Sequence, residues 1–152
     1  YVASQTKVEI INWAGSCMVH ERFSPQDILN LRQLYPGIVV MAHPECPPEI
    51  LERADYVGST SGMTRQVRES GTARVALITE CSMGANIAAQ NPGVEIVRPC
   101  ELCPHMQKIT LDKIIDSLEK DQFEITIDED VRIRAKAAVD RMLAVKAGAR
   151  GG

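Results

Sequence analysis

Short apolar runs alternate with amphipathic stretches along the first hundred residues. The run 38–42, IVVMA, is apolar throughout, which is typical of a strand covered on both faces of a parallel sheet. The segment from Ser24 to Pro36 has a capping residue, an apolar stripe at helical spacing and a terminating proline, so it predicts a helix. Further strands are predicted at 7–12, 56–57, 75–78 and 94–97, with helices at 49–54, 62–70 and 82–90. This alternation indicates an α/β fold with right-handed crossovers.

The pattern changes beyond Pro99. Residues 100–108 are predicted to form a loop, Thr110 to cap a helix, and Asp128 to open a final helix. That last helix has an apolar stripe that needs a partner surface. We therefore divide the chain into an α/β domain over 1–98, a loop with C-terminal helices over 99–147, and a flexible tail over 148–152.

Composition and charge narrow the class of protein. The 152 residues suffice for one core of ordinary size. The net charge is -3 and no basic stripe is interleaved with aromatic residues, which argues against nucleic acid as a partner. No apolar run approaches the roughly 20 residues that cross a bilayer, and no secretory signal opens the chain. We predict a cytoplasmic protein without a membrane partner and, because Tyr1 takes the place of an initiator methionine, a fragment.

Reactive side chains follow each of the predicted strands. In chain order they are Cys17 and His20, His43 and Glu45, Ser59 and Thr60, Glu80 and Cys81, and finally Cys100 and Cys103. The carboxyl ends of parallel strands meet at one edge, where open α/β sheets bind ligands. One site could gather these residues, although loops are polar in any case and chance explains part of the pattern.

The first two groups suit metal and acid/base chemistry. Cys17 and His20 could ligate a soft metal, or they could be a buried thiol and a surface imidazole. Three prolines hold the backbone stiffly around His43 and Glu45, which favours an acid/base pair. The alternative is a rigid turn that only leads into the next helix. Cys46, beside that turn, is predicted to pack in the core.

The other groups are weaker signals. Ser59 and Thr60 leave a strand and enter a helix, which suits an anion and suits ordinary capping equally well. Cys100 and Cys103 form a CxxC pair, which supplies only two of the ligands of a zinc site and could instead form a disulfide. An odd total of five cysteines does not suit a closed disulfide framework. Cys81 is predicted to be a buried helix residue.

Four segments taken together resemble quinolinate synthase. They are GSCMVHERF at 15–23, HPECPPEILERADYVGSTSGM at 43–63, ITECSM at 78–83 and CELCPHMQKITLDKI at 100–114. Their order and spacing match the C-terminal half of that family over nearly the whole chain. The resemblance implies a three-layer α/β/α domain with a parallel sheet, in a fold of three similar domains around a pseudo-threefold axis. It also implies that the C-terminal helices pack on an N-terminal domain that is missing here.

The resemblance implies a 4Fe-4S enzyme of NAD biosynthesis. The family condenses iminoaspartate with dihydroxyacetone phosphate and releases quinolinate, phosphate and water, with one open iron acting as a Lewis acid. Cys17 and Cys103 match two cluster ligands, and the third cysteine lies upstream of this chain. His20, His43 and Glu45 match catalytic and substrate-binding positions, and Ser59 and Thr60 match residues that hold a phosphate or carboxylate.

The same resemblance implies that an L-aspartate-oxidising enzyme supplies the iminoaspartate, and that the isolated 152-residue chain is inactive. Two rival hypotheses stay open on the residues alone. One is a zinc-dependent lyase or hydrolase that uses His20, His43, Glu45 and a cysteine. The other is a non-catalytic scaffold fragment.

Overall fold

A computed structural model describes residues 1–145. The chain forms two compact units, Tyr1–Lys108 and a second that begins at Ile109. The loop that carries Cys103 belongs to the first unit. The tail predicted at 148–152 lies outside the described residues. Among residues 1–145 there is no helix whose length and apolar character would let it span a bilayer.

The first unit is built on a parallel sheet of four strands in the order β2-β1-β3-β4. The strands are β1 Val39–Ala42, β2 Tyr56–Val57, β3 Arg74–Ile78 and β4 Glu95–Val97. In the register, Met41 of β1 lies between Tyr56 of β2 and Leu77 of β3. The four later predicted strands are thus confirmed, and β1 and β3 form the centre of the sheet.

Helices connect these strands as the pattern predicts. They are α1 Pro25–Leu34, α2 Pro48–Leu51, α3 Thr60–Ser70 and α4 Cys81–Gln90, with short 3-10 helices at Val2–Gln5, His20–Arg22 and Met106–Lys108. At the start of α1 the Asp27 carboxylate accepts hydrogen bonds from the backbone N–H of Ser24 at 2.7 Å and from its hydroxyl at 2.8 Å. Because these bonds stabilise the first turn, the helix begins where the sequence predicts.

Alternate strand residues face two different helical layers. On one face Val40, Ala42, Ala76 and Ile78 pack with side chains of α1 and α2. On the other face Met41, Val75 and Leu77 pack with Met63 and Val67 of α3 and Ile87 of α4. Covering both faces explains why the strands are continuous apolar runs. The predicted three-layer α/β/α domain is confirmed.

The strand predicted at 7–12 is wrong. These residues have no regular secondary structure and are largely exposed, with 94% of Ile11 and 69% of Val8 accessible to solvent. An apolar alternation forms a strand only where a neighbouring strand completes the backbone hydrogen bonds. Within the described part of the chain, the segment pairs with neither edge of the sheet.

The second unit contains α5 Leu111–Lys120 and α6 Glu129–Ala144. Thr110 accepts a hydrogen bond from the Lys113 N–H at 3.3 Å, and Asp128 accepts one from the Asp130 N–H at 3.0 Å. Both predicted caps are therefore confirmed. Large apolar side chains of these helices are exposed, among them Leu111, Ile115, Leu118, Ile133 and Met142. Their packing on another domain stays a prediction.

Candidate functional site

His43 lies at the carboxyl end of β1, in the centre of the sheet. Its backbone N–H donates to the carbonyl of Ile78 at 3.1 Å, which continues the pairing between β1 and β3. The Cys46 N–H then donates to the His43 carbonyl at 2.9 Å and closes a tight turn. This turn holds Glu45 at the same edge, as the proline-rich pattern predicts.

His20 reaches this edge through its side chain and not through a strand. Its Nε2 lies 3.0 Å from the Thr79 hydroxyl, and both side chains are buried. The His20 ring also stacks on the His43 ring, with 4.6 Å between centroids and 16° between planes. Two histidines from different motifs are therefore brought into direct contact.

Glu45 completes the cluster. Its Oε2 lies 3.1 Å from Nδ1 of His20 and 3.7 Å from Nδ1 of His43. The Glu45 atom nearest to the buried Nδ1 of His20 is off the direction of a good hydrogen bond, so this nitrogen has no well-aligned partner in the described structure. The Glu45 side chain is 56% exposed. A carboxylate open to solvent thus faces two imidazoles, an arrangement suited to proton transfer.

The environment of His20 favours its neutral form. Burial lowers the pKa of its imidazole, and the neighbouring His43 lowers it further, whereas the Glu45 carboxylate acts in the opposite direction. The net direction is downward from the ordinary value of 6.5. A neutral ring offers one nitrogen as an acceptor or a metal ligand near neutral pH.

Cys17 joins His20 and Glu45 in a group with metal-ligand character. The thiol, imidazole and carboxylate ligand atoms all lie within 4.8 Å of one another. The Cys17 thiol is free and half-buried. It lines a cavity of about 590 Å³, together with Trp13, Gly15, Ser16, Pro44 and Glu45. The first two predicted groups therefore converge beside a space that a small molecule can enter.

Cys103 is a free, half-buried thiol outside that group of three ligand atoms. Its backbone N–H donates to Oε1 of Glu80 at 3.3 Å. Glu80 directly follows Thr79, the partner of His20. The segments that carry Cys17 and Cys103 are thus both hydrogen-bonded to the residues that follow β3.

A disulfide joins Cys81 to Cys100, so the pair that the CxxC spacing left open, Cys100 with Cys103, does not form here. Cys81 is buried at the start of α4, as predicted, and its N–H donates to the Glu101 carbonyl at 2.9 Å. This backbone contact brings the Cα atoms of Cys81 and Cys100 to 4.9 Å, which suits a disulfide. Cys103 lies beyond the contact and keeps its thiol.

Ser59 and Thr60 lie at the same sheet edge, after β2. The Ser59 hydroxyl accepts a hydrogen bond from the Gly62 N–H at 3.2 Å and caps α3. Thr60 is the exposed first residue of that helix. Among the residues described, neither side chain is hydrogen-bonded to the cluster of Cys17, His20, His43 and Glu45. Capping is thus visible for Ser59, and the anion role stays a prediction.

Sequence reasoning missed two residues of the site and gave no role to a third. Thr79 orients His20, and Trp13 lines the cavity, but neither belongs to a recognisable chemical pattern. The strand pattern predicts Glu80 at a strand end but gives it no partner. The signal that could have indicated Thr79 and Glu80 is their position directly after the apolar run of β3. Polar groups that follow a buried strand need hydrogen-bond partners.

Cys46 serves as an internal reference for thiol reactivity. The side chain is 4% exposed and donates to the Ile78 carbonyl at 3.6 Å, and burial raises the pKa of the thiol to about 12. At pH 8 only about one thiol in 10,000 is then the reactive thiolate. We expect iodoacetamide to label Cys17 and Cys103 in the native chain long before Cys46, as measured by peptide mass spectrometry. Labelling of all three at equal rates would contradict this burial.

Comparisons with known proteins agree on one family. The family model described as "NadA: Quinolinate synthetase A protein" matches residues 1–144. Quinolinate synthase 2 and quinolinate synthase 1 of Mesorhizobium japonicum are 52% and 55% identical to the chain over 144 residues, which is 95% of this chain and 44% of each relative. Quinolinate synthase of Caulobacter vibrioides is 52% identical over 142 residues, which is 93% of this chain and 39% of the relative. The chain thus spans less than half the length of these curated relatives. It belongs to the quinolinate synthetase A family.

Proposed function

We propose that this chain forms part of the active site of a quinolinate synthase in NAD biosynthesis. The reaction condenses iminoaspartate with dihydroxyacetone phosphate and gives quinolinate, phosphate and water. An L-aspartate-oxidising enzyme in the same cytoplasmic compartment supplies the iminoaspartate. The observation that carries this proposal is the convergence of Cys17, His20, His43 and Glu45, two of which, Cys17 and Glu45, line one cavity. The relatives of the chain are named for this activity.

The donor set fits a 4Fe-4S cluster. Cys17 and Cys103 are free, half-buried thiols, and thiolates are the usual ligands of such clusters. Both lie on segments that are hydrogen-bonded to residues 79 and 80, next to a buried imidazole nitrogen that lacks a well-aligned partner. We assign these two cysteines as ligands, with a third cysteine from outside residues 1–145. When bound, a cluster with an iron that lacks a protein ligand supplies a Lewis acid.

The chain's own residues supply the acid and base. Imine formation, tautomerisation and dehydration each require a proton to leave one atom and arrive at another. The Glu45 carboxylate faces the cavity and takes a proton from the substrate. Its Oε2 lies 3.1 Å from Nδ1 of His20 and 3.7 Å from Nδ1 of His43, so a rotation of the carboxylate that aligns either hydrogen bond lets it pass that proton on. Thr79 holds the His20 ring in place during this transfer.

Thr60 is proposed to hold the phosphate of the triose substrate. Its hydroxyl lies at the N-terminus of α3, where the helix dipole favours an anion. Thr60→Ala should raise the KM for dihydroxyacetone phosphate about 10- to 100-fold and that for iminoaspartate much less, since a hydrogen bond to a charged group contributes about 1.5–3 kcal/mol. Steady-state kinetics with each substrate varied in turn measures this difference.

Ser59→Ala is the matched control for that experiment. It removes the cap of α3 and should lower the free energy of unfolding by about 1 kcal/mol. Its effect on the KM for dihydroxyacetone phosphate should be smaller than that of Thr60→Ala. If Thr60→Ala left both KM values unchanged, Thr60 would have no part in phosphate binding.

A zinc-dependent lyase or hydrolase is the second candidate function. The grouping of one thiol, one imidazole and one carboxylate favours it, because three protein ligands with one open position are typical of catalytic zinc. This candidate leaves Cys103 without a role. The metal content of the purified protein separates the two functions.

The deciding experiment uses a protein as long as the relatives, in which the 152 residues of this chain replace the matching C-terminal segment. We call this protein the full-length enzyme. After anaerobic reconstitution with iron and sulfide, we expect brown protein with about four iron and four sulfide per chain. This protein should form quinolinate from dihydroxyacetone phosphate and freshly generated iminoaspartate. Colourless protein with stoichiometric zinc would support the zinc enzyme. Protein that binds neither metal nor substrate would be the non-catalytic scaffold.

A further inference from the structure

Glu80 is a buried acidic side chain to which the proposed reaction gives no role. Only 9% of the residue is exposed, at the point where β3 ends and α4 begins. A buried carboxylate is costly unless hydrogen-bond donors surround it. The donors around Glu80 therefore indicate what the side chain does.

The carboxylate joins two distant segments of the chain. Oε2 accepts a hydrogen bond from the Ser82 N–H at 2.7 Å, which caps α4. Oε1 accepts one from the Cys103 N–H at 3.3 Å and another from the Ser82 hydroxyl at 3.3 Å. Oε2 thus caps the start of α4, and Oε1 holds the backbone of Cys103, a proposed cluster ligand.

The loop before Cys103 is attached to the same place by separate contacts. Cys100 is covalently linked to Cys81, and the Glu101 carbonyl accepts from the Cys81 N–H at 2.9 Å. The Glu101 side chain lies 3.1 Å from Arg22, on the segment that follows Cys17. These contacts position residues 100 and 101, whereas the bond to Glu80 acts on Cys103 itself.

We infer that Glu80 is a positioning residue for Cys103, and that it holds the thiol of this ligand in place before a cluster binds. The inference rests on the proposed function, since it gives Glu80 a purpose only if Cys103 binds metal. Outer residues that orient metal ligands typically change metal affinity by about 10- to 100-fold. Glu80 acts through the Cys103 backbone, which donates to its Oε1.

Glu80→Asp separates positioning from capping. Aspartate keeps the charge and is a favoured N-cap residue, so it still serves the Ser82 N–H. Its side chain is one methylene shorter and does not reach the Cys103 N–H. Glu95→Asp is the matched control, because Glu95 is an exposed residue of β4 whose carboxylate pairs with Arg74 at 2.6 Å.

Two measurements on the full-length enzyme test the inference. The first is the rate at which a chelator removes iron from the reconstituted cluster, which should rise about 10- to 100-fold in Glu80→Asp and stay unchanged in Glu95→Asp. The second is amide hydrogen exchange of the peptide that spans residues 101–105 in the cluster-free form. Exchange of this peptide should be faster in Glu80→Asp, while that of α4 stays the same.

Unchanged iron release and unchanged exchange in Glu80→Asp would overturn the inference. Faster exchange throughout α4, with a lower melting temperature, would reduce Glu80 to a helix cap and overturn it as well. If Glu80→Asp does not fold, Glu80→Gln takes its place. Glutamine keeps the side-chain length of glutamate but has only one oxygen that accepts a hydrogen bond, so it cannot serve both the Ser82 and the Cys103 N–H groups. The same two measurements apply. A wild-type enzyme that takes up no cluster defeats the proposed function, and the exchange experiment then still decides whether Glu80 positions Cys103.

Discussion

Cys103→Ser in the full-length enzyme is expected to abolish the iron–sulfur cluster and, with it, quinolinate formation. A hydroxyl poorly replaces a thiolate on iron, and the remaining cysteines of this chain are not available. Cys46 is buried in the core, and Cys81 and Cys100 are joined to each other. Cys17→Ser should have the same effect. Iron and sulfide analysis after anaerobic reconstitution, together with visible absorbance, measures the loss.

Cys46→Ser is the control for this prediction, because it removes a thiol that lies in the core and holds no metal in the proposed site. It should retain both the cluster and the activity. Near wild-type iron content in Cys103→Ser would contradict the ligand assignment. The ligand role would then pass to Cys100, which requires the disulfide with Cys81 to open.

Glu45→Gln is expected to lower turnover by about 100- to 10,000-fold while the cluster absorbance stays intact. Glutamine keeps the size of the side chain and its place beside His20 and His43, but it cannot accept a proton. The full-length enzyme is assayed under saturating concentrations of both substrates. His43→Ala should show a loss in the same direction, since it removes a ring that stacks on His20.

Glu49→Gln provides the matched control, since Glu49 is exposed in α2 four residues further on. Its turnover should equal that of the unmodified enzyme. Unchanged turnover in Glu45→Gln would return the proline-rich turn to a structural role. Loss of iron in Glu45→Gln would make Glu45 a metal ligand, as its distance to Cys17 and His20 allows.

The parts of the fold that depend on local chemistry could be predicted from the sequence. Ser24 and Asp27 stabilise the first turn of α1 through contacts only three residues apart, so the helix start is visible in the sequence. The apolar run of β1 is likewise sufficient to indicate a doubly covered strand. The segment 7–12 has three apolar residues among its six, and whether such a segment forms a strand depends on a distant neighbour. Sequence patterns do not contain that information.

The candidate site divides in the same way. The strand-end pattern predicts His43 and Glu45 at the ligand edge. It predicts Cys17 and His20 there as well, but from a strand at 7–12 that does not form. The hydrogen bond between His20 and Thr79 spans 59 residues, and nothing local in the sequence announces it. The partner of Cys100 in the disulfide is invisible in the sequence for the same reason. Cys100 has a nearer cysteine in sequence, but the contact between Cys81 and Glu101 determines which thiol it meets.

In the described structure the segment before α1 does not pair with the sheet, so one side of the site is built on the central strand and the other is not. None of the backbone hydrogen bonds that residues 1–18 make in the described structure reaches the sheet, and the buried side chains of Val19, His20 and Phe23 hold the segment in place. Segments with so few protected amides open at low free energy without global unfolding. The proposed cluster should therefore be inserted and lost from the side of Cys17, while the turn of His43 and Glu45 keeps its shape on the central strand.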